Sequence, residues 1–375
     1  MIVALLAKPV FKNKYGNSWL ICEEPKEARD NGYHFFKYMS INHQDQKCYY
    51  AIKNKSVDAK KVQEIGETIN YGSIQHWLAY FLCEYNISSQ KGGKPNAALC
   101  AFFEMNGIFK PQNVFLQHGI IINNVRWLYA DRSNFKYFIT STVKETKYIE
   151  ENFGYPVGTI QMTGLPRFDA LHDNDTIPNR ILIMPTWRYW FNLKSKQSKD
   201  TDRSFSNSEY FKKWSEIINS REINDLIVKY DLEVIFYPHR NMQNHIDEFR
   251  SNNTKVKMAS WINFDIQELL KTSAMLVTDY SSVFFDMVYM KKPVVFFQFD
   301  EEKYRRYQYG NGYFDYHTTV FGDYCQTAVE VVKSIEKYTR SEFMVSDAYL
   351  EEHKALFEKY DKKNSQRIYE LLLNK

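Results

Sequence analysis

Short apolar segments alternate with longer stretches of helical periodicity along this chain of 375 residues. The short segments have the length of buried strands, and the stretches between them repeat apolar residues at the spacing of amphipathic helices. Strands that alternate with helices are typical of α/β proteins with parallel sheets. The predicted strands are residues 48–52, 86–90, 114–119, 137–141, 159–164, 181–187, 233–239, 274–279 and 293–299, and the predicted helices are residues 28–40, 73–84, 142–153, 208–229, 265–272, 282–290, 326–337 and 348–373.

A domain boundary is predicted within residues 165–180, which are polar and contain two prolines. A chain of this length is expected to form two domains. We predict Rossmann-like domains at residues 1–175 and 176–345, with a long amphipathic C-terminal helix in residues 346–375 that packs back on them. This organisation is typical of GT-B-like folds, in which two Rossmann-type domains face a central cleft. Residues 191–207 are polar without a hydrophobic period, so we expect a mobile surface loop there.

Composition limits which partners and which cellular compartment are expected. The 49 basic and 45 acidic residues nearly balance, with a formal net charge of +4, which argues against nucleic acid as a partner. Five scattered cysteines without a CxxC pair predict neither disulfides nor a zinc site, and favour a reducing compartment. Residues 1–11 lack the features of a signal peptide, and no segment has the ~20 apolar residues of a membrane-spanning helix. We expect a cytoplasmic protein that could still lie on a membrane surface.

Polar side chains follow several predicted strands at the point where each strand ends. Ligands of open parallel sheets bind outside the carboxyl ends of the strands, so we expect these groups to converge on the cleft between the two domains. The segments are LQHG (116–119), TGLPR (163–167), PTWR (185–188), YPHR (237–240) and TDYSS (278–282).

Two of these segments carry histidines, one in each predicted domain. His118 precedes Gly119, which permits close backbone approach, and an imidazole suits a general base because its pKa lies near neutral pH. His239, next to Arg240, could bind a diphosphate and assist the leaving group as its charge develops. The alternatives are a buried histidine bonded to backbone for His118 and a solvent-facing strand-end histidine for His239.

Two arginines at strand ends are candidates for phosphate binding. Arg167 and Arg188 each follow a proline-containing turn. A guanidinium presents donors in a planar fork that suits phosphate. Surface salt bridges, which most arginines form, are the alternative.

The turn Asp279-Tyr280-Ser281-Ser282 lies between a predicted buried strand and a predicted helix. Its two hydroxyls and the backbone N–H groups of the helix N-terminus could bind phosphate oxygens. Asp279 would order the turn or bind a sugar hydroxyl, and helix capping by serine is the alternative. Tyr280, in the same turn, is predicted to contact the donor.

Several common motifs do not occur in the sequence. The chain has no GxxxxGK[ST], GxGxxG or HExxH motif, and no paired carboxylates suited to hold Mg²⁺ on a diphosphate. We therefore expect a transfer that requires neither metal nor cofactor, in which arginine, histidine and helix N-termini neutralise the phosphates.

The motifs together resemble the CDP-glycerol glycerophosphotransferase family, which comprises teichoic acid polymerases and related capsule enzymes. The resemblance implies a GT-B-like fold and transfer of glycerol phosphate, or a similar polyol phosphate, from CDP-glycerol or CDP-ribitol with release of CMP. The acceptor would be a hydroxyl of a polymer or lipid-linked primer at the inner face of the bacterial plasma membrane. The matching segments lie between about Trp19 and Asp300 and are residues 28–39, 69–90, 153–169, 181–188 and 276–300.

The resemblance also implies roles for single residues. A histidine before glycine is taken as the base in that family, which matches His118, and a second histidine contacts the donor phosphates, which matches His239. Serines after the Thr-Asp-Tyr turn bind phosphate, which matches Ser281 and Ser282. The N-terminal domain would then be the acceptor side and the C-terminal domain the donor side.

This chain departs from the family pattern beside both histidines. Many members have Trp-His-Gly-Thr where this chain has Gln117-His118-Gly119-Ile120. Many also carry a basic residue shortly before the second histidine, where this chain has Tyr237-Pro238.

Two other functions remain open from the sequence. A GT-B glycosyltransferase acting in capsule or cell-wall polysaccharide synthesis would use a nucleotide sugar and release a nucleoside diphosphate in place of CMP. A nucleotide-binding scaffold protein would bind without turnover.

Overall fold

The computed structural model describes residues 11–173, 175–192 and 205–374, which divide into two compact units. Unit 1 comprises Met1–Ile121, Val125–His172 and Leu356–Lys375, and unit 2 comprises Ile122–Asn124 and Asp173–Ala355. The predicted boundary at residue 175 lies close to the division after His172. The sequence did not predict that Ile122–Asn124, which lies within the sequence range of unit 1, belongs to unit 2.

Unit 1 is built on seven strands, namely β1 (Trp19–Cys22), β2 (Cys48–Ile52), β3 (Thr68–Asn70), β4 (Tyr85–Ser88), β5 (Asn113–Phe115), β6 (Tyr137–Thr140) and β7 (Ile160–Met162). They pair in parallel in the order β3-β2-β1-β4-β5-β6-β7. The α-helices of this unit are Asn31–Asn42, Ala59–Gln63, Ile74–Leu82, Ala97–Met105, Val143–Asn152 and Asn364–Leu373, and the 3-10 helices are Arg126–Leu128 and Pro166–Ala170.

Unit 2 is built on six strands, namely β8 (Ile177–Met184), β9 (Glu233–Phe236), β10 (Val256–Met258), β11 (Ser273–Thr278), β12 (Val294–Phe297) and β13 (Gly322–Cys325). They also pair in parallel, in the order β10-β9-β8-β11-β12-β13, so the α/β prediction is confirmed. The α-helices are Tyr189–Asn192, Glu209–Asn219, Arg221–Tyr230, Ile266–Thr272, Phe284–Tyr289, Glu301–Tyr307, Ala328–Arg340 and Asp347–Leu356, and the 3-10 helices are Phe205–Asn207 and Arg240–Glu248.

Each sheet reverses its strand order beside its first strand. The chain proceeds outward from β1 on one side and returns to β4 on the other, and β8 and β11 repeat this arrangement. Loops that leave two such neighbouring strands diverge, which creates a crevice at their carboxyl ends. The reversal therefore marks where each sheet is suited to bind a ligand.

Two helices predicted as continuous are interrupted. Residues 208–229 form two helices because the Ser220 side chain accepts a hydrogen bond from the Ile223 N–H and begins a second helix. The C-terminal prediction is wrong in the same way, since Asp347–Leu356 and Asn364–Leu373 are separate helices. The Asp169 carboxylate accepts the N–H groups of Asn364 and Ser365, each at 2.9 Å, at the start of the second one.

Two predictions concern residues that the structure does not describe. The surface loop predicted at residues 191–207 falls largely on residues 193–204, and the prediction for the N-terminus falls largely on residues 1–10. Among the helices that are described, none combines the length and the apolar character needed to cross a membrane.

Candidate active site

His118 lies just beyond the carboxyl end of β5 in unit 1, and its side chain is 71% exposed. Its Nδ1 donates a hydrogen bond to Asp30 Oδ2 at 2.6 Å. A carboxylate that holds Nδ1–H fixes the tautomer and leaves the Nε2 lone pair to accept a proton. This geometry fits a general base and differs from a buried histidine bonded to backbone.

The contact between His118 and Asp30 shifts the pKa of both side chains. The Asp30 carboxylate raises the pKa of His118 above its usual range. Burial would raise the pKa of Asp30, but the charges of His118 and Arg167 outweigh it, and the pKa of Asp30 is lowered. Each partner therefore stabilises the charged form of the other.

Asp30 can face His118 because another carboxylate caps its helix. Asp30 is the N-cap of the helix Asn31–Asn42 but makes no side-chain capping bond. Glu23, at the end of β1, accepts the N–H groups of Arg29, Asp30 and Tyr33 at 3.0, 3.1 and 2.6 Å. Burial, followed by the charge of Asp30, raises the pKa of Glu23 to about 8. Glu23 thus supports the N-terminus that Asp30 would otherwise cap.

Arg167 lies in the same group and is buried. Its Nη1 donates to Asp30 Oδ1 at 3.1 Å and to the His118 carbonyl at 2.7 Å. Its backbone N–H donates to Asn31 Oδ1 at 3.1 Å. In the structure Arg167 braces the His118–Asp30 pair, and its contact with phosphate stays a prediction.

Arg188 occupies a different setting in unit 2. Its guanidinium is fully buried between two carboxylates, with Nη1 2.8 Å from Asp279 Oδ2 and Nε 2.8 Å from Asp300 Oδ2. Burial alone would lower the pKa of Arg188, but Asp279 and Asp300 raise it well above its usual range. The prediction that Arg188 contacts phosphate directly does not agree with this position, because the guanidinium is enclosed and already paired. This position fits a supporting role for Arg188.

Asp279 ties together the two strands at the order reversal of the second sheet. Its Oδ1 accepts the N–H of Thr186, which follows β8, at 2.9 Å, and the N–H of Tyr280, which follows β11, at 2.8 Å. Asp279 is fully buried. Of the two predicted roles, ordering of the turn fits this position, and contact with a sugar hydroxyl does not.

Tyr280 is buried beside the same ion pair. Its hydroxyl donates to Asp300 Oδ1 at 3.1 Å, and its ring stacks on Tyr304 with centroids 3.8 Å apart. Asp300 Oδ1 therefore accepts hydrogen bonds from both Tyr280 and Arg188. Direct donor binding by Tyr280, predicted from its place in the turn, stays untested.

Ser281 and Ser282 are half-buried and precede the helix Phe284–Tyr289, which begins two residues later than predicted. The N-cap is Val283, without a side-chain bond, so helix capping is not the role of either serine. Ser281 Oγ accepts the Val283 N–H at a long 3.4 Å. Phosphate binding by these hydroxyls stays a prediction.

His239 follows β9 and is half-buried at the start of the 3-10 helix Arg240–Glu248. Its Nδ1 accepts the Asn241 N–H at 3.2 Å, which places the proton of a neutral ring on Nε2. Nε2–H can then donate to an anionic oxygen. Arg240 lies over the Trp261 ring, 4.9 Å from its centroid.

The structure thus brings together two groups, one in each unit. His118, Arg167 and Gly119 belong to the first; Arg188, Asp279 and Tyr280 belong to the second. The predicted convergence on one cleft stays a prediction. Three carboxylates of these groups were missed. No strand-end pattern indicates Asp30, and Glu23 follows the strand β1, which was not predicted. Asp300 follows the predicted strand at residues 293–299 and could have been found by the same rule as Asp279.

Within the described ranges, no group of three or more histidine, cysteine, aspartate or glutamate side chains could hold a metal ion. The expectation that the transfer needs no metal or cofactor stays a prediction.

The two parallel sheets, with polar groups at their strand ends, define an α/β protein of the GT-B-like class. The chain belongs to the CDP-glycerol:poly(glycerophosphate) glycerophosphotransferase family, whose sequence model matches residues 5–374. The resemblance stated from the motifs is therefore confirmed across nearly the whole chain.

Several named relatives are similar over much of this chain. The minor teichoic acid biosynthesis protein GgaB of Bacillus subtilis (strain 168) is 30% identical over 95% of this chain and 39% of its own length. The teichoic acid poly(glycerol phosphate) polymerase of the same strain is 24% identical over 82% of this chain and 42% of its own. The teichoic acid poly(ribitol-phosphate) polymerase of Bacillus spizizenii is 26% identical over 64% of this chain and 38% of its own length. The chain spans about two fifths of these proteins.

Solved structures support the fold. The wall teichoic acid polymerase TagF superposes with a TM-score of 0.68 at 17% identity, covering 99% of this chain and 96% of that one. The UDP-GlcNAc 2-epimerase of Methanocaldococcus jannaschii superposes with a TM-score of 0.55 at 12% identity, covering 95% of this chain and 99% of that one. At these identities the likeness concerns the fold alone.

Proposed function

We propose that this chain transfers glycerol phosphate, or a similar polyol phosphate, from a CDP-linked donor to a hydroxyl of a teichoic-acid-like or capsular polymer or of a lipid-linked primer, with release of CMP. The observation that carries this proposal is the exposed His118 imidazole whose Nδ1 is held by Asp30. Family membership supplies the reaction class.

The proposed chemistry is a single displacement at phosphorus. His118 Nε2 takes the proton of the acceptor hydroxyl while its oxygen attacks the phosphorus that bears the polyol. The bond from that phosphorus to the bridging oxygen breaks, and CMP leaves with the electron pair. The proton remains on His118 until it passes to solvent. Asp30 stabilises the imidazolium formed in this step.

Groups of unit 2 are proposed to hold the donor diphosphate. His239 Nε2–H and the hydroxyls of Ser281 and Ser282 are donors suited to phosphate oxygens. Arg188 would act indirectly, because it fixes Asp279 and with it the turn that carries the serines.

The polyol could be glycerol or ribitol. Among the relatives are a poly(glycerol phosphate) polymerase and a poly(ribitol-phosphate) polymerase, whose names refer to different polyols. We propose CDP-glycerol as the first donor to test because the family is described by that donor.

We propose that the protein acts in the cytoplasm, peripherally on the inner face of the bacterial plasma membrane. The membrane contact is supported by exposed apolar side chains on two helices of unit 1, Ile74–Leu82 and Ala97–Met105, which pack on one core cluster. Ile74 is 76% exposed and Phe102 is 55% exposed. Co-sedimentation with vesicles of phosphatidylglycerol, lost in Phe102→Ser, would support this location; equal recovery without vesicles would contradict it.

The reaction is tested by incubation with CDP-glycerol or CDP-ribitol, with and without a glycerophosphate-primed acceptor. We expect acceptor-dependent CMP release and a product heavier by one polyol phosphate per transfer; a ladder of products would indicate polymerisation. Consumption of a nucleotide sugar with release of a nucleoside diphosphate, and no CMP from either CDP donor, would contradict the proposal.

A further inference from the structure

Residues 117–121, here called the base loop, carry His118. One buried carboxylate, that of Glu145, accepts hydrogen bonds from both ends of this loop. Glu145 lies in the first turn of the helix Val143–Asn152 and is fully buried. Its Oε1 accepts the side-chain N–H of Gln117 at 3.0 Å and the backbone N–H of Ile121 at 2.7 Å. A single oxygen therefore joins the first and last residues of the base loop.

The other oxygen of Glu145 anchors the clamp to the sheet. Its Oε2 accepts the Ser141 N–H at 2.8 Å, just beyond β6, and Gln117 Nε2 also donates to the Ile139 carbonyl at 2.5 Å. Both ends of the base loop are thereby fixed to the strand beside β5. The hydrogen bonds that a buried carboxylate accepts offset the free energy lost when it is removed from water, so the arrangement tolerates little displacement.

Gln117 also has an unusual backbone. Its φ is +62°, a left-handed conformation that is strained for residues other than glycine. Its side chain points into the protein and is fully buried, while that of the next residue, His118, is exposed. The hydrogen bonds that the buried side-chain amide of Gln117 donates hold the backbone in the turn that orients His118 outward.

The opposite side of the base loop is held by the group around Asp30. The Gln117 carbonyl accepts from Asn31 Nδ2 at 2.8 Å, and the His118 carbonyl accepts from Arg167. The position of His118 is thus defined by Asp30, Asn31 and Arg167 on one side and by Glu145 on the other.

We propose that Glu145 and Gln117 form a clamp that positions His118 against Asp30, so that Glu145 is a positioning residue for the transfer although it does not contact the imidazole. The clamp uses a glutamine at the position before the base histidine, where many family members have tryptophan. It deepens the proposed function and rests on it for the kinetic part of its test.

Three variants separate this role from mere structural support. Gln117→Asn keeps a residue that tolerates the left-handed conformation but shortens the amide by one methylene, so that it no longer reaches Glu145. Glu145→Gln keeps the shape but offers one acceptor oxygen in place of two. Glu150→Gln is the matched control, since Glu150 is exposed on the same helix and undergoes the same substitution.

We expect kcat to fall about 10–100-fold in Gln117→Asn and in Glu145→Gln, the range seen when groups that orient a reactive side chain are removed. The KM for CDP-glycerol should change less than about twofold, because the donor groups are untouched. The kcat of the double variant should fall no further than that of the more impaired single variant, because the two residues act as a unit. Glu150→Gln should match the unchanged protein.

A second measurement does not depend on turnover. Histidine-labelled protein is titrated by NMR, and the His118 signal is assigned by its absence in His118→Asn. A loosened Asp30 contact should lower the titration midpoint of His118 in Gln117→Asn and Glu145→Gln but not in Glu150→Gln. Unchanged midpoints and a kcat within about twofold of the unchanged protein would overturn the clamp. If no CDP donor releases CMP, the proposed function fails, and the midpoints alone decide on the clamp. If Glu145→Gln does not fold, Gln117→Asn decides.

Discussion

The two polar groups of this protein contain similar side chains and are built for different tasks. In unit 1, His118 is 71% exposed and is held by the single carboxylate of Asp30. In unit 2, Arg188 is fully buried and is held by the carboxylates of Asp279 and Asp300. The imidazole presents a nitrogen to solvent, and the guanidinium is enclosed by protein.

The difference is the one expected between a reacting group and a supporting one. A base must exchange a proton, so one face of its ring has to stay accessible while the other is oriented. A buried guanidinium with two carboxylate partners cannot exchange its contacts without leaving charges unpaired. We therefore expect His118 variants to affect turnover and Arg188 variants to affect folding.

Replacement of the base should give the largest effect. His118→Ala should lower kcat by about 10²–10⁴-fold, the usual contribution of a general base, with little change in thermal stability because the side chain is exposed. CMP release and thermal unfolding are measured on the same preparations.

His317→Ala is the control, because His317 is another exposed histidine paired with a carboxylate, Glu301 at 3.1 Å. It should retain turnover. Near-normal CMP release by His118→Ala would show that the base is wrongly assigned.

Removal of the enclosed cation should act on stability. Arg188→Met leaves Asp279 and Asp300 buried without their partner, which should lower the free energy of unfolding by about 3–5 kcal/mol in urea denaturation. Arg126→Met, at the exposed Arg126–Asp131 pair, should leave the urea midpoint unchanged. A stable Arg188→Met protein with a raised KM for the donor would instead mean direct phosphate binding.

Removal of the carboxylate that orients the base should have a smaller effect than removal of the base. Asp30→Asn should lower the plateau kcat about 10–100-fold, since His118 loses its orientation and the charge that stabilises the imidazolium. Asp45→Asn, at an exposed position of the same unit, should leave kcat unchanged. An equal loss in both variants would point to a general effect of charge.

The smallest predicted change concerns Tyr280. Tyr280→Phe removes one hydrogen bond to Asp300, which keeps its contacts with Arg188, so the free energy of unfolding should fall by about 1 kcal/mol. The KM for the donor should stay the same. A raised KM at unchanged stability would give the hydroxyl a direct role in donor binding.

The sequence predicted the fold class better than its elements. Buried parallel strands such as Leu182–Ile183 of β8 are apolar on both faces and were recognised. Strand β1 was missed because its four apolar residues lie between two polar segments, and the strands β3, β10 and β13 were also missed. Ser220 was not recognised as a break, because the helical period continues across it and only the capping bond shows the interruption.

The candidate site was predicted in part. Strand-end positions indicated His118 and Asp279, because parallel strands bring their carboxyl ends to one edge. Asp30 was out of reach, since it lies 88 residues from His118 in sequence and would ordinarily be read as a helix cap. That it faces His118 depends on Glu23, which takes over the capping bonds only in the folded protein.

The central claim is that His118, held by Asp30, is the base of the transfer. The pH dependence of single-turnover CMP formation tests it most directly. Because Asp30 raises the pKa of His118, the neutral, proton-accepting ring is fully populated only above that raised value. The unchanged protein should therefore lose activity on the acid side of this midpoint, and Asp30→Asn should shift the midpoint to lower pH while lowering the plateau. Superimposable profiles for the two proteins would contradict the account.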